Sequence, residues 1–190
     1  VLIASAILSR IQSERAEYQD FAILYRTNAQ SRALEEALRR RNLPYMIYSG
    51  NSFFERAEVK DMMAYFKLVV NINDDESFKR IVNKPARGIG DTSLSALTAA
   101  ASHHGMPLFK AAYADDLENF GLKQAAIRKI REFCDMIAGL ALNANEWDAH
   151  KIAKKIADDS GLYMFFKSDT SIEGQSRTAN VEELVDSIKL

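Results

Sequence analysis

Cysteine is nearly absent from this sequence. Cys134 is the single one in 190 residues, so no internal disulfide can form, and with only three histidines a structural zinc site has no ligand set. Charge of one sign is also missing. Lys and Arg number 25 against 26 Asp and Glu, a formal net charge of -1, so the chain lacks the global electrostatic footprint of a dedicated nucleic-acid-binding domain and any such contact must be local. No run of about 18 apolar residues occurs, which excludes a membrane-spanning helix. The opening Val1-Leu2-Ile3-Ala4 has neither the basic region nor the cleavage site of a signal peptide, and a cytoplasmic location is expected. Equally absent is a Gly-x-x-x-x-Gly-Lys-Ser/Thr loop, and no acidic pair follows an apolar strand. Nothing here wraps a nucleotide's phosphates or holds their magnesium.

What remains is an ordinary globular composition, 47% apolar and 27% charged, which argues against disorder. The first residue is Val rather than Met, and the stretch from Val181 reads as a helix with no stop signal, so both ends are expected to be internal to a longer protein.

Ile3, Ile7, Leu8 and Ile11 stand at helical spacing, and Phe21-Ala22-Ile23-Leu24-Tyr25 is a short apolar run that suits a buried strand. Thr27 and Asn28 are candidate caps for a helix carrying Leu34 and Leu38, whose last turn holds Arg39-Arg40-Arg41. That basic run reads as a solvated helix end rather than a DNA site. Tyr45-Met46-Ile47-Tyr48 predicts a second strand and Ser49-Gly50-Asn51-Ser52 a turn. Helix, strand, helix, strand in that order predicts an α/β unit with parallel strands. Two strands cannot make a stable sheet, so its other strands are expected from outside this chain.

After residue 55 the pattern turns helical. Val59, Met62, Met63, Phe66, Val69 and Val70 repeat at threes and fours, with the Met and Phe stripe expected in the core. Pro85 and Arg87-Gly88-Ile89-Gly90 break the chain, and further helices are predicted at about 91–104, 122–140, 147–158 and 174–190. The fold class expected is therefore α/β but mostly helical, a partial parallel-sheet unit followed by an all-helical insert. The apolar pattern thins near residues 114–121, which places a domain boundary between 1–117 and 118–190.

The stretch from Phe21 through Tyr25-Arg26-Thr27-Asn28-Ala29-Gln30-Ser31-Arg32 to Leu34-Glu35-Glu36 closely resembles helicase motif IV of the UvrD/Rep/PcrA group of superfamily 1. Pro44-Tyr45, Gly50 with Phe53-Phe54-Glu55-Arg56, Val59-Lys60-Asp61, Asn73-Asp74-Asp75, Ile81-Val82-Asn83 with Pro85, and Arg87-Gly88-Ile89-Gly90 follow at similar spacing. Asp159-Ser160-Gly161-Leu162 and Gln175-Ser176-Arg177 with Asn180 and Glu182-Glu183-Leu184 resemble the helical insert of the same enzymes. In that family two RecA-like P-loop NTPase-type domains, 1A and 2A, hold ATP between them, with single-stranded DNA across the top. The resemblance makes residues 1–117 the first part of 2A and residues 118–190 the beginning of the insert 2B.

The same resemblance implies that Tyr25 packs on the adenine and that Arg26 reaches the γ-phosphate as the catalytic cation. An aromatic face offers stacking area and a guanidinium offers forked donors, so the residue types suit the task. From spacing alone, such a pair is more often a buried ring beside a surface ion pair, and it is the flanking motif that points to function. ATP and magnesium would belong to the full-length enzyme, with none bound stably by this piece. Partners implied are single-stranded and duplex DNA and the remaining helicase domains of the same chain, with no membrane.

Candidate DNA contacts are Arg87, Gly88, Gly90 and Thr92, a backbone amide nest at a helix start, or else a glycine-rich turn with an Asp or Thr cap. Gly121 with Lys123 and Ser160 with Gly161 resemble the helix-loop-helix turns by which the insert grips duplex backbone. His103, His104 and His150 have no ligand-spaced partner and read as surface residues. The function expected is a fragment of an ATP-dependent 3′–5′ DNA translocase, inactive alone. The competing reading is a stand-alone helical binding module of helicase ancestry.

Overall fold

The computed structural model describes residues 2–14, 16–25, 30–47, 53–144 and 146–189. Arg26, Thr27, Asn28, Tyr48 and the 49–52 turn lie outside the described residues. The chain divides into two units, Val1–Val59 and Lys60–Leu190.

The first unit holds helices α1 (Leu2–Glu14) and α2 (Gln30–Arg39) and short 3-10 turns at Tyr18–Asp20 and Phe53–Glu55. Its apolar centre is small: Ala4, Leu38 and Leu43, with Ile7, Leu8, Ile23 and Ala37 packed around them. Polar groups do much of the holding. Glu35 is buried on α2 and accepts from the Phe53 amide at 2.9 Å and from the Tyr45 hydroxyl at 3.3 Å. Arg56 donates to the buried Ser31 hydroxyl at 2.9 Å, and the guanidiniums of Arg56 and Arg32 both lie over the Phe53 ring.

The expected parallel-sheet unit is not there. Among the described residues no strand occurs, and 21–25 and 43–47 have no regular secondary structure. Phe21 does take extended dihedrals, φ -109° and ψ 135°. Extended backbone is a local property, however, whereas a strand needs a neighbour to receive its N–H and C=O groups, and two short runs give each other too little. Leu24 is accordingly 94% exposed while Ile23 turns into the small core.

The second unit is helical throughout its described residues. Its helices are α3 (Ala57–Val70, which begins just before the division), α4 (Asp75–Ile81), α5 (Asp91–His104), α6 (Leu108–Ala111), α7 (Gln124–Asn143), α8 (Ala149–Asp159), α9 (Leu162–Lys167) and α10 (Ile172–Asp186). Three aromatic rings centre the core: Phe133 of α7 meets Phe78 of α4 edge-on at 5.4 Å and Tyr65 of α3 at 6.5 Å. Leu97, Leu108, Leu117, Ile130 and Ile137 are buried around them. The stripe on α3 splits, with Met62 fully buried, Met63 and Phe66 partly so, and Val70 at the surface. Asp61, also buried, is neutralised by Arg80 at 2.7 Å and Lys84 at 3.3 Å.

Candidate nucleic-acid interface

The chain between α4 and α5 is organised by one side chain. Asn83 Oδ1 accepts from the amides of Arg87 at 2.7 Å and Ile89 at 3.2 Å, which closes the loop before α5 begins. Gly88 can follow this path because its φ of +70° suits a residue without Cβ. Ile89 is buried as an anchor, while Gly88, Gly90, Asp91 and Thr92 are exposed. Gly90 is the N-cap of α5 and has no side chain with which to satisfy the amides of the first turn. Asp91 adds a carboxylate there, favourable to the helix dipole.

The second predicted turn has the same design. Gly121, at φ +89°, hands the chain to the buried Leu122, and Lys123 is the exposed N-cap of α7 without a side-chain cap bond. The third lies between α8 and α9. Ser160 is buried there, its hydroxyl donating to Ala157 O at 3.2 Å and accepting from the Leu162 amide at 3.2 Å. Its side chain is thus spent inside the protein, and the next residue, Gly161, is half-exposed with φ +74°.

Two of these turns meet, the 83–90 loop and Ser160–Gly161. A Cβ placed on Gly161 would lie 3.5 Å from Pro85, and Arg87 Nη2 donates to Ser160 O at 2.8 Å. Arg87 does not offer its guanidinium outward. Nη1 donates to the carbonyls of Ile81, Val82 and Pro85 at 3.2–3.3 Å, Nη2 also reaches the Tyr65 hydroxyl at 2.8 Å, and the group stacks over Phe133 at 5.1 Å. Tyr65 in turn donates to Lys84 O at 2.5 Å. Burial pushes its pKa up, so the phenol keeps the proton that this bond needs.

Lys129 is a residue that sequence reading missed. Its Nζ lies 2.5 Å from where a Gly88 Cβ would be, so the ammonium rests directly on the glycine loop. It stands on α7 six residues beyond Lys123, roughly 9 Å along the axis at 1.5 Å per residue. One lysine on an amphipathic helix gives no signal of this; only the folded path of the 83–90 loop does.

Elsewhere the candidates thin out. Tyr25 belongs to the first unit, in chain without regular secondary structure, and is 37% exposed. His104 faces Asp116 at 3.0 Å and His150 faces Asp186 at 3.5 Å, and no group of three potential metal ligands exists among the described residues. Cys134 is buried, which raises its thiol pKa to about 12 and leaves it inert. No described helix is long and apolar enough to cross a membrane.

The sequence model described as the UvrD-like helicase C-terminal domain matches residues 2–189. DNA helicase II of Escherichia coli K12 is 38% identical over 185 residues, covering 96% of this chain and 26% of that protein. DNA helicase II of Salmonella typhimurium is 40% identical over 164 residues, 86% of this chain and 23% of that protein. ATP-dependent DNA helicase PcrA of Staphylococcus aureus is 34% identical over 174 residues, 92% of this chain and 24% of that protein. The chain therefore spans about a quarter of the length of these relatives.

Proposed function

The chain belongs to the UvrD-like helicase C-terminal domain family, and from that premise we propose that it is one part of an ATP-dependent DNA helicase that moves 3′ to 5′ along one strand. In this reading residues 1–117 serve the motor domain 2A and residues 118–190 begin the insert 2B. Tyr25 offers its ring to the adenine. Arg26 reaches across to the γ-phosphate, where a forked cation stabilises the charge that develops during phosphoryl transfer. The phosphate-wrapping loop and the magnesium ligands are supplied by other domains of the same protein, since this sequence has no such loop.

The second unit takes the DNA. The α5 start at Gly88, Gly90 and Thr92, the α7 start at Gly121 and Lys123, and the Ser160–Gly161 turn present backbone amides and positive charge to phosphates. Lys129 joins them. Such contacts hold duplex without reading its sequence. The observation that carries this proposal is the convergence of the 83–90 loop, the Ser160–Gly161 turn and Lys129 in a chain matched to this family from end to end.

The decisive experiment concerns Arg26. In the intact protein, Arg26→Ala should lower DNA-stimulated ATP turnover by roughly tenfold to a thousandfold, as removal of a donor to developing charge does. Turnover equal to that of the unaltered protein would remove Arg26 from the nucleotide site.

A further inference from the structure

The Arg87 guanidinium is heavily engaged, and its hydrogen bonds end on the protein. The carbonyls of Ile81, Val82 and Pro85 belong to the end of α4 and the loop behind it, and the Tyr65 hydroxyl belongs to α3. The remaining acceptor, Ser160 O, lies 73 residues away in sequence. Ser160 is the C-cap of α8, so its carbonyl is one of the last-turn groups that no helical amide can satisfy, at the negative end of the helix dipole. A forked cation is well suited to that position, because one Nη serves the loop carbonyls while the other serves Tyr65 and the helix end. The Phe133 ring lies against the guanidinium and limits its freedom to turn away.

We infer that Arg87 is a positioning residue that ties the Ser160–Gly161 turn to the Asn83–Gly90 loop, so that the two turns meet one DNA backbone as a single surface. This rests on the duplex-binding reading above. It reassigns Arg87 from a phosphate donor to the link between two phosphate-binding turns. Gly161 is the sensitive end of that link: its backbone is left-handed and passes close to Pro85, so any shift of Ser160 O moves the turn. A lysine at position 87 would keep the charge and lose the fork. It could reach one group of acceptors and not both.

The test uses the intact protein and a short duplex of arbitrary sequence, with binding measured over a range of salt well below the unfolding temperature. Arg87→Lys is expected to weaken binding roughly tenfold while changing the slope of log K against log salt by less than the ~0.9 of one cation–phosphate contact, because no charge is removed. Combined with Gly161→Ala, it should add little beyond the weaker single variant, because both act on one turn. Wild-type affinity for Arg87→Lys overturns the inference. So do effects of the two substitutions that simply multiply, which would make Arg87 an independent contact. Tyr65→Phe removes one acceptor and keeps the ring; should Arg87→Lys not fold, this variant decides, with a two- to threefold loss of binding expected and an unchanged affinity overturning the link. If Gly161→Ala and Lys129→Ala bind duplex normally as well, the duplex-binding reading itself has failed.

Discussion

A lysine ammonium is strongly hydrated and gives up its water only for a partner. Lys129 nevertheless lies half-buried on α7 with its charge against the Gly88 backbone, where only the missing Cβ leaves room. A phosphate held at the α5 start would find this charge already in place. Lys129→Ala should therefore lower duplex affinity and reduce the salt slope by about 0.9, the share of one contact. The check is a salt titration of binding for both proteins, and parallel lines would exclude the lysine. Arg87 makes the opposite case at this scale. It has the stronger donor set of the two, yet its donors point inward. The sequence placed Arg87 in a candidate backbone amide nest and singled out nothing at Lys129, because it does not say which cation the fold consumes.

At the scale of elements, the longer helices of the second unit were readable from their period, while the short α6 and α9 were not. The spacing predicts a helix over 91–104, and α5 occupies Asp91–His104, closed by Gly105 in the left-handed conformation. Helix α4 shows why such signals work. Asp74 precedes it and accepts from the Ser77 amide at 3.0 Å and the Ser77 hydroxyl at 2.7 Å. Those hydrogen bonds stabilise the carboxylate and hold its pKa below the ordinary value near 3.8. With the folded pKa depressed, this stabilisation is present above the unfolded carboxylate range and is lost as pH falls through the folded pKa. Asp74→Ala should thus cost about 1 kcal/mol at neutral pH and less in acid, read from denaturant unfolding at several pH values. A cost that stays constant into acid would show that the charge plays no part. The strands failed for a different reason. Apolar runs at 21–25 and 45–48 carry the right residues, but a ladder is made by partners, and a sequence lists only the candidates.

For the whole molecule, the candidate site was legible as three separate turns and not as a surface. Gly88–Gly90, Gly121 with Lys123, and Ser160–Gly161 could each be found from glycine and helix-start signals. That the 83–90 loop meets the Ser160–Gly161 turn depends on Arg87 reaching Ser160, and α7 adds Lys129 to that loop, contacts between distant parts of the chain that no local pattern encodes. The nucleotide-binding pair was legible only through its likeness to a known motif, and Arg26 lies outside the described residues. Since the contacts offered are amides and ammonium groups, with no side chain placed to read a base edge, binding should be governed by phosphate charge. Two cation–phosphate contacts, from Lys123 and Lys129, imply that duplex affinity falls on the order of tenfold between 50 and 200 mM salt. The intact protein should show this loss equally on duplexes of unrelated sequence. An affinity indifferent to salt, or one that separates those duplexes, would mean that the second unit does not hold DNA by its backbone.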